Sequence, residues 1–456
     1  MTPTFFSRND CQLLFDKIVK MTNGGGDTSI DIVSRWSGTT QWARSRFNVA
    51  EDLQVVELSM SRSRNGAAGY ARTMRLDDEG LRQVVADAEA TLAMQREPPE
   101  HIRDQLIDEP SLTPDLWSAP TYALTPEART KLAEQLMLPA AEAGLLTAGA
   151  LRIAAEGHAV MSTDGMFRYY PVTNVECSMT VRDVKGTASG WAGVNHYALE
   201  KIDPAALAAR ALEKCLTMRN PSAVEPGRYT VILEPQAVAD LLSPFIAEML
   251  DRATPEVGRI GPFVGKTPGT TKITEQVIDR RLTLRADPMD PDGGFIPFER
   301  YTGTPYTPVI WIDRGILTEL WYYREYALSA LHRPSALLNS QSYRLQAAPD
   351  VPTVPVEKMI AKTDRGILIT RLHGVQLVDF DSVLCSGYTR DGTWLIEHGK
   401  ISKPVKNLRF AESPLFALNQ LLDVGVSQRV FTPGYACVVP PLRVDDFNLA
   451  GLADAV

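Results

Sequence analysis

Cysteine is scarce in this chain: five among 456 residues, Cys11, Cys177, Cys215, Cys385 and Cys437, odd in number, widely spaced and without a C-x-x-C pair. The pattern excludes a disulfide framework and a zinc ribbon and fits a reducing compartment. Positive charge is not in excess either, since the formal net charge is −8. Phosphate binding needs clustered Lys and Arg, so no nucleic-acid partner is expected. Arg62, Arg64, Arg72 and Arg75 are interspersed with polar residues and read as solvated strand faces. No run approaches the roughly 18 apolar residues of a membrane span, and the N-terminus, Met-Thr-Pro-Thr-Phe-Phe-Ser-Arg-Asn-Asp, lacks the basic and apolar regions of a signal peptide. The expectation is a soluble, cytoplasmic protein with no membrane association. Also missing are a G-x-S-x-G elbow, a G-x-x-x-x-G-K-[ST] loop and a G-x-G-x-x-G fingerprint on a β-α-β unit. Gly24-Gly25-Gly26 has no strand-to-helix context and reads as a flexible turn.

What is present belongs to an ordinary globular protein: 44% hydrophobic and 22% charged residues, and length for two or three domains. A first amphipathic helix carries Leu14, Ile18 and Met21, and a strand follows around Ile30 to Arg35. Alternation at Val56, Leu58 and Met60 leads into Asn65-Gly66 and a second alternating run through Ala68, Tyr70 and Met74, the pattern of a hairpin. Asp77 then caps a helix striped by Leu81, Val84, Val85, Ala88 and Leu92. The plan recurs. Thr125-Pro126 caps a helix with Leu132 and Leu136, strands flank Asp164-Gly165, a further pair turns at Lys185-Gly186, and Asp203-Pro204 starts a helix with Leu207, Ala211 and Cys215. The turn glycine at 66 thus reappears at 186 and the cap at 77 reappears at 203, which points to a duplicated helix–sheet–helix module in residues 1–115 and 120–220. The Pro-rich break at Asn220-Pro221 and Glu225-Pro226-Gly227 sets the expected domain boundary, 1–223 and 224–456. Beyond it, mixed strands with many turns predict a large mixed or antiparallel sheet. The fold class is α+β.

Several separated blocks carry a resemblance that spans roughly Asp10 to Gly451. They are NGAAGYARTMRLDDEGLRQVVADAEATL in the first unit, STDGMFRYY and GTASGWAG in the second, SGYTRDGTWLIEHGKISKPVKNLRF at Ser386 to Phe410, the helix-like ESPLFALNQLLDVG, and a terminal PPLRVDDFNLAG. In these the chain resembles the TldD/PmbA metallopeptidase family. The resemblance implies one of two kinds of member. Catalytic members carry H-E-x-x-x-H on the helix after the strand that opens the second half, two imidazoles binding zinc and the Glu activating water. Here that strand is Val231 to Pro235 and the helix reads QAVADLLSPFIAEML; by position Ser243 and Glu248 replace the histidines and Pro244 the Glu. No such string occurs elsewhere. The catalytic members also use a cysteine near the C-terminus, and Cys437 lies too close to Pro440-Pro441 for that match.

The resemblance therefore implies a TldE-type subunit with no catalytic or metal-binding residue and no cofactor of its own. It would pair with a zinc-bearing TldD-like partner to cleave unfolded peptides or peptide natural-product precursors. Tyr388, Arg390 and Arg409, beside the signature turn, are the candidate substrate-binding residues; Arg390 could equally pair with Asp391. Two rivals stay open: a stand-alone hydrolase or tailoring enzyme drawing on Glu248, His373 or Cys385, and a homodimeric peptide-binding scaffold. Cys385 and His398 flank the Arg-Asp-Gly turn but nothing in their spacing brings them within reach. The six histidines, His101, His158, His196, His332, His373 and His398, each stand alone. The stretch Trp321, Tyr322, Tyr323 and Tyr326 suits either an oligomer interface or the core.

Overall fold

The computed structural model describes residues 5–22, 25–95, 112–243, 246–250, 261–265, 267, 269–322, 327, 331 and 342–453, without the side chains of Ala247 and Glu248. Helix α1 (Arg8–Val19) is started by a capping box between Ser7 and Asp10, and it buries Cys11, Phe15 and Ile18. Two long strands follow, β1 (Asp27–Ala43) and β2 (Arg46–Arg64). The strand expected at Ile30 to Arg35 is thus much longer. Trp36 and Trp42 continue its buried positions, and the turn comes only at Arg44 and Ser45, both in the left-handed region. Asn65 and Gly66, at φ 53° and 82°, turn β2 into β3 (Ala67–Thr73), as the Asn-Gly pair predicts. Asp77 accepts the Gly80 N–H at 2.8 Å and opens α2 (Asp78–Met94), which buries Leu81, Val84, Val85, Ala88 and Leu92.

The second unit has the same order. After the short helix α3 (Ala119–Tyr122) comes α4 (Pro126–Glu142), capped by Thr125. Then come β4 (Leu146–Ser162), β5 (Phe167–Arg182), β6 (Ser189–His196) and α5 (Pro204–Thr217), the last capped by Asp203. The six strands form one antiparallel sheet in the order β3-β2-β1-β4-β5-β6, so two three-stranded halves meet at β1 and β4. One close approach recurs in each half. A Cβ on Gly69 of β3 would fall 2.2 Å from Leu92 N of α2, and a Cβ on Gly190 of β6 would fall 2.3 Å from Ala211 O of α5. Only glycine lets helix and sheet meet so closely.

Arg62 corrects the expectation of solvated arginines on these strands. It is 1% exposed, donates to Thr28 Oγ1 at 2.6 Å, and pairs with Glu89 of α2 at 2.7 Å. Alternation puts it on the face that α2 covers, and the carboxylate comes from the covering helix.

The strands of the second half are shared among three sheets. One runs β16 (Lys400–Pro404), β15 (Thr393–Glu397), β12 (Arg365–Ile369), β7 (Gly227–Leu233), β21 (Leu442–Leu449) and β18 (Leu421–Val424). Its β7 and β12 are parallel, and Val231, Ile232 and Leu233 are buried in succession, as a strand covered on both faces requires. A second runs β10 (Ile316–Leu317), β9 (Val309–Asp313), β8 (Leu282–Ala286), β11 (Tyr343–Ala347), β20 (Cys437–Val439) and β19 (Gln428–Val430). The third is antiparallel: β13 (Leu372–Asp379), β14 (Leu384–Thr389), β17 (Leu408–Glu412) and β22 (Gly451–Leu452).

A large core fills the second half and contains Tyr322, with Trp321 packed against it. Tyr322 is therefore a core residue and Trp321 a partly exposed one at its margin; Tyr323 and Tyr326 lie outside the described residues. The expected helix in ESPLFALNQLLDVG covers only Pro414–Asn419, and Leu421–Val424 is strand. The core under α4 and α5 also takes in Ile232, Leu368, Trp394 and Ile396, so it continues from the first sheet into the second half. Among the described residues no helix is long and apolar enough to cross a membrane.

Candidate functional site

The strand β7 delivers the chain to α6 (Pro235–Leu242), whose proline at the first turn needs no hydrogen-bond partner. Ser243 caps its C-terminal end, and α7 (Ile246–Leu250) follows. The expected helix is thus described on both sides of Ser243, with Pro244 and Phe245 outside the described residues. Ser243 lies 3.1 Å, oxygen to oxygen, from the Tyr343 hydroxyl of β11, and the Cys437 thiol of β20 hydrogen-bonds with both. Tyr435 also reaches Ser243. Burial pushes the Cys437 thiol up to about 12 and the Tyr343 hydroxyl well above its ordinary value.

A zinc site needs imidazoles or thiolates. The first histidine position of the family motif holds a hydroxyl bonded to a tyrosine, and the nearest sulfur is a protonated thiol at neutral pH. This donor set does not fit zinc. Among the described residues no three His, Cys, Asp or Glu side chains come together in an arrangement able to hold a metal. The position of Cys437 is the point that sequence reasoning missed. Its meeting with Ser243 and Tyr343 arises because β20 packs against α6, a contact with no local signal in the sequence.

Next to this cluster lies a charged one. Asp240, one turn before Ser243 on α6, accepts Gln236 Nε2 at 2.8 Å and the Leu372 N–H at 2.9 Å. Gln236 in turn clamps the Phe431 backbone, donating to its carbonyl and accepting its N–H at 3.1 Å each. Burial raises Asp240 to about 6, against the attraction of Arg371. The Arg371 guanidinium stacks on Trp191, 4.2 Å from the ring centre, and reaches Asp391 at 3.4 Å. Asp391, 3% exposed and at φ 55° in the Arg-Asp-Gly turn, also accepts Ser189 Oγ at 2.8 Å and faces Arg390 at 3.7 Å. The cluster thus fastens β6 to the loops of the second half. It can hold protons and orient backbone, and the Ser189 hydroxyl in it is spent as a donor to Asp391.

The sequence-predicted candidates separate. Tyr388 of β14 and Arg409 of β17 are register partners, so they share one face of the third sheet, and Arg409 donates to Ser386 Oγ at 3.3 Å. Arg390 lies beyond the end of β14 and faces Asp391. Cys385 and His398 do not meet: the Cys385 thiol is fully buried on Val383 O, whereas His398 is exposed and paired with Asp364 at 2.9 Å. His373, opposite Tyr388, is pushed below its ordinary pKa by burial and by Arg390 and Arg371. His158 pairs with Glu156, and burial takes His196 down to about 3. His101 and His332 lie outside the described residues, as does the side chain of Glu248.

Residues 226–451 match the family model described as the PmbA/TldA metallopeptidase C-terminal domain. Among curated proteins none matches the sequence. Solved structures share the fold over almost the full length. A candidate modulator of a DNA gyrase from Thermotoga maritima is 17% identical, with 96% of this chain and 98% of that one covered and a TM-score of 0.79. A second, from Bacteroides thetaiotaomicron, is 18% identical, with 98% and 100% covered and a TM-score of 0.80. TldE from Thermococcus kodakarensis is 16% identical, with 97% and 100% covered and a TM-score of 0.77. With its second half matched by the family model and the whole chain sharing this fold, the protein belongs to the TldD/PmbA metallopeptidase family, as a member whose sequence lacks the zinc motif.

Proposed function

We propose that this chain is the non-catalytic, peptide-holding subunit of a zinc-dependent peptidase, pairing with an H-E-x-x-x-H-bearing TldD-like partner that supplies the metal and the chemistry. One observation carries the reading: where a catalytic member would present zinc ligands, this chain presents the mutually bonded Ser243, Tyr343 and Cys437, with the thiol pushed up to about 12. Such a cluster gives neither an activated water nor a thiolate at neutral pH.

The third sheet supports the holding role. Its edge strand β13 has no neighbour on its outer side among the described strands, and an extended peptide adds to such an edge through main-chain hydrogen bonds with little sequence preference. Tyr388, one strand in from that edge, and Arg409, its register partner on the next strand, are the side chains proposed to contact the substrate. Unfolded peptides and peptide precursors suit this mode, because they are already extended. The test is elemental analysis of the isolated, dialysed chain together with co-purification from its native host. The reading expects less than stoichiometric zinc and recovery of a TldD-like chain; about one tightly held zinc per chain would instead support a stand-alone enzyme.

A further inference from the structure

Arg429 of β19 is half-buried in the wall of a cavity of about 170 Å³ between the first sheet, at Glu156 and Thr173, and the second half, at Ser342 and Tyr435. Its guanidinium is held from behind. Nε donates to Asn195 O at 2.6 Å and Nη1 to Asp292 O at 2.5 Å, both neutral carbonyls. Nη2 has no hydrogen-bond partner, and the residue forms no ion pair, among the described residues. The neighbouring acids are committed elsewhere: Asp290 to Arg344 at 2.5 Å and Arg285 at 3.1 Å, and Glu156 to Arg35 at 2.5 Å and His158 at 2.9 Å. The Asp292 carboxylate lies 3.5 Å from Arg344. Burial brings Arg429 itself down to about 10, and its charge adds to the burial that keeps His196 neutral. Asp292 and Asp290 attract Arg429 without a direct ion pair among the described residues, and a planar fork with a free edge matches a carboxylate.

We propose that Arg429 and this cavity form a carboxylate-binding subsite for peptides, taking either a free C-terminus or an acidic side chain. The volume suits one such group, since sites for whole ligands run about 300–1,000 Å³. Ser342 and Tyr435 are near neighbours in sequence of Tyr343 and Cys437, so a peptide anchored at Arg429 would lie beside the former metal position. The proposal rests on the peptide-holding reading and adds to it what part of the peptide is gripped.

Isothermal titration of the full chain with three probes tests it: N-acetyl-Ala-Ala-Ala as free acid, the same peptide as C-terminal amide, and N-acetyl-Ala-Glu-Ala amide. The acid is expected to bind about tenfold or more tighter than the Ala amide, as loss of a buried charge pair implies. Arg429→Gln should bring the acid to the level of the amide, and Arg429→Lys, which keeps the charge and loses the fork, should fall between. Binding of the Glu amide at the level of the acid identifies the side chain as the source; binding at the level of the Ala amide identifies the terminus. Equal binding of acid and Ala amide in the wild type overturns the subsite while leaving peptide holding intact. Absence of binding by every peptide overturns both. Should Arg429→Gln melt below the assay temperature, Arg429→Lys and the wild-type comparison of acid with amide decide.

Discussion

Asp240 shows how much of the site is set by burial. Its folded-state pKa, about 6, lies above the value of about 3.9 for an unfolded aspartate, so the protonated form is the one folding favours. The stability this contributes is complete below about pH 4 and is lost as pH rises through 6. Asp240→Asn removes the titration, at the cost of a hydrogen bond to Gln236 that does not vary with pH. Urea melts of both proteins should therefore show the variant gaining on the wild type between pH 4 and 6; a difference flat across that range would contradict the assignment. Cys437, with its thiol pushed up to about 12 and no exposed surface, should resist alkylation in the native protein and react on unfolding. None of this was legible beforehand. Asp240, Arg371 and Asp391 lie on three separate segments, and the meeting of Cys437 with Ser243 depends on β20 crossing to α6. Arg62 likewise needed the covering helix to be placed before its burial could be seen.

At the scale of elements the sequence was far more readable, because the signals are local. The Asn65-Gly66 turn and the caps Asp77, Thr125 and Asp203 act within three or four residues, and each stands where it was expected. Strand lengths were not, since the long β1–β2 hairpin is held by its partners across the sheet. Asp77→Ala should lower stability by about 1 kcal/mol through loss of the cap. Gly69→Ala and Gly190→Ala should each lower it by about 1–3 kcal/mol, because the new methyl meets helix backbone that cannot turn aside. Denaturant midpoints of the three variants check this; an unchanged midpoint for either alanine variant would show that helix and sheet separate freely there. That the two glycines make the same contact in the two units is what a duplicated module would leave behind.

For the whole molecule, the patterning of helices and strands anticipated the α+β fold, and the way the second-half strands divide into three sheets was beyond it. Long-range pairing such as β7 with β12, or β11 with β20, has no local signature. The central claim is that the chemistry belongs to the partner. Glu248→Gln should therefore leave peptide cleavage by the paired complex within a few-fold, whereas removing a general base or metal ligand costs typically 10²–10⁴-fold. The most direct measurement is peptide cleavage at matched zinc content by this chain alone, by the TldD-like partner alone, and by the two combined. The account predicts no turnover from this chain alone and full activity from the combination. Turnover by this chain alone, retained after the partner is removed completely, would contradict it.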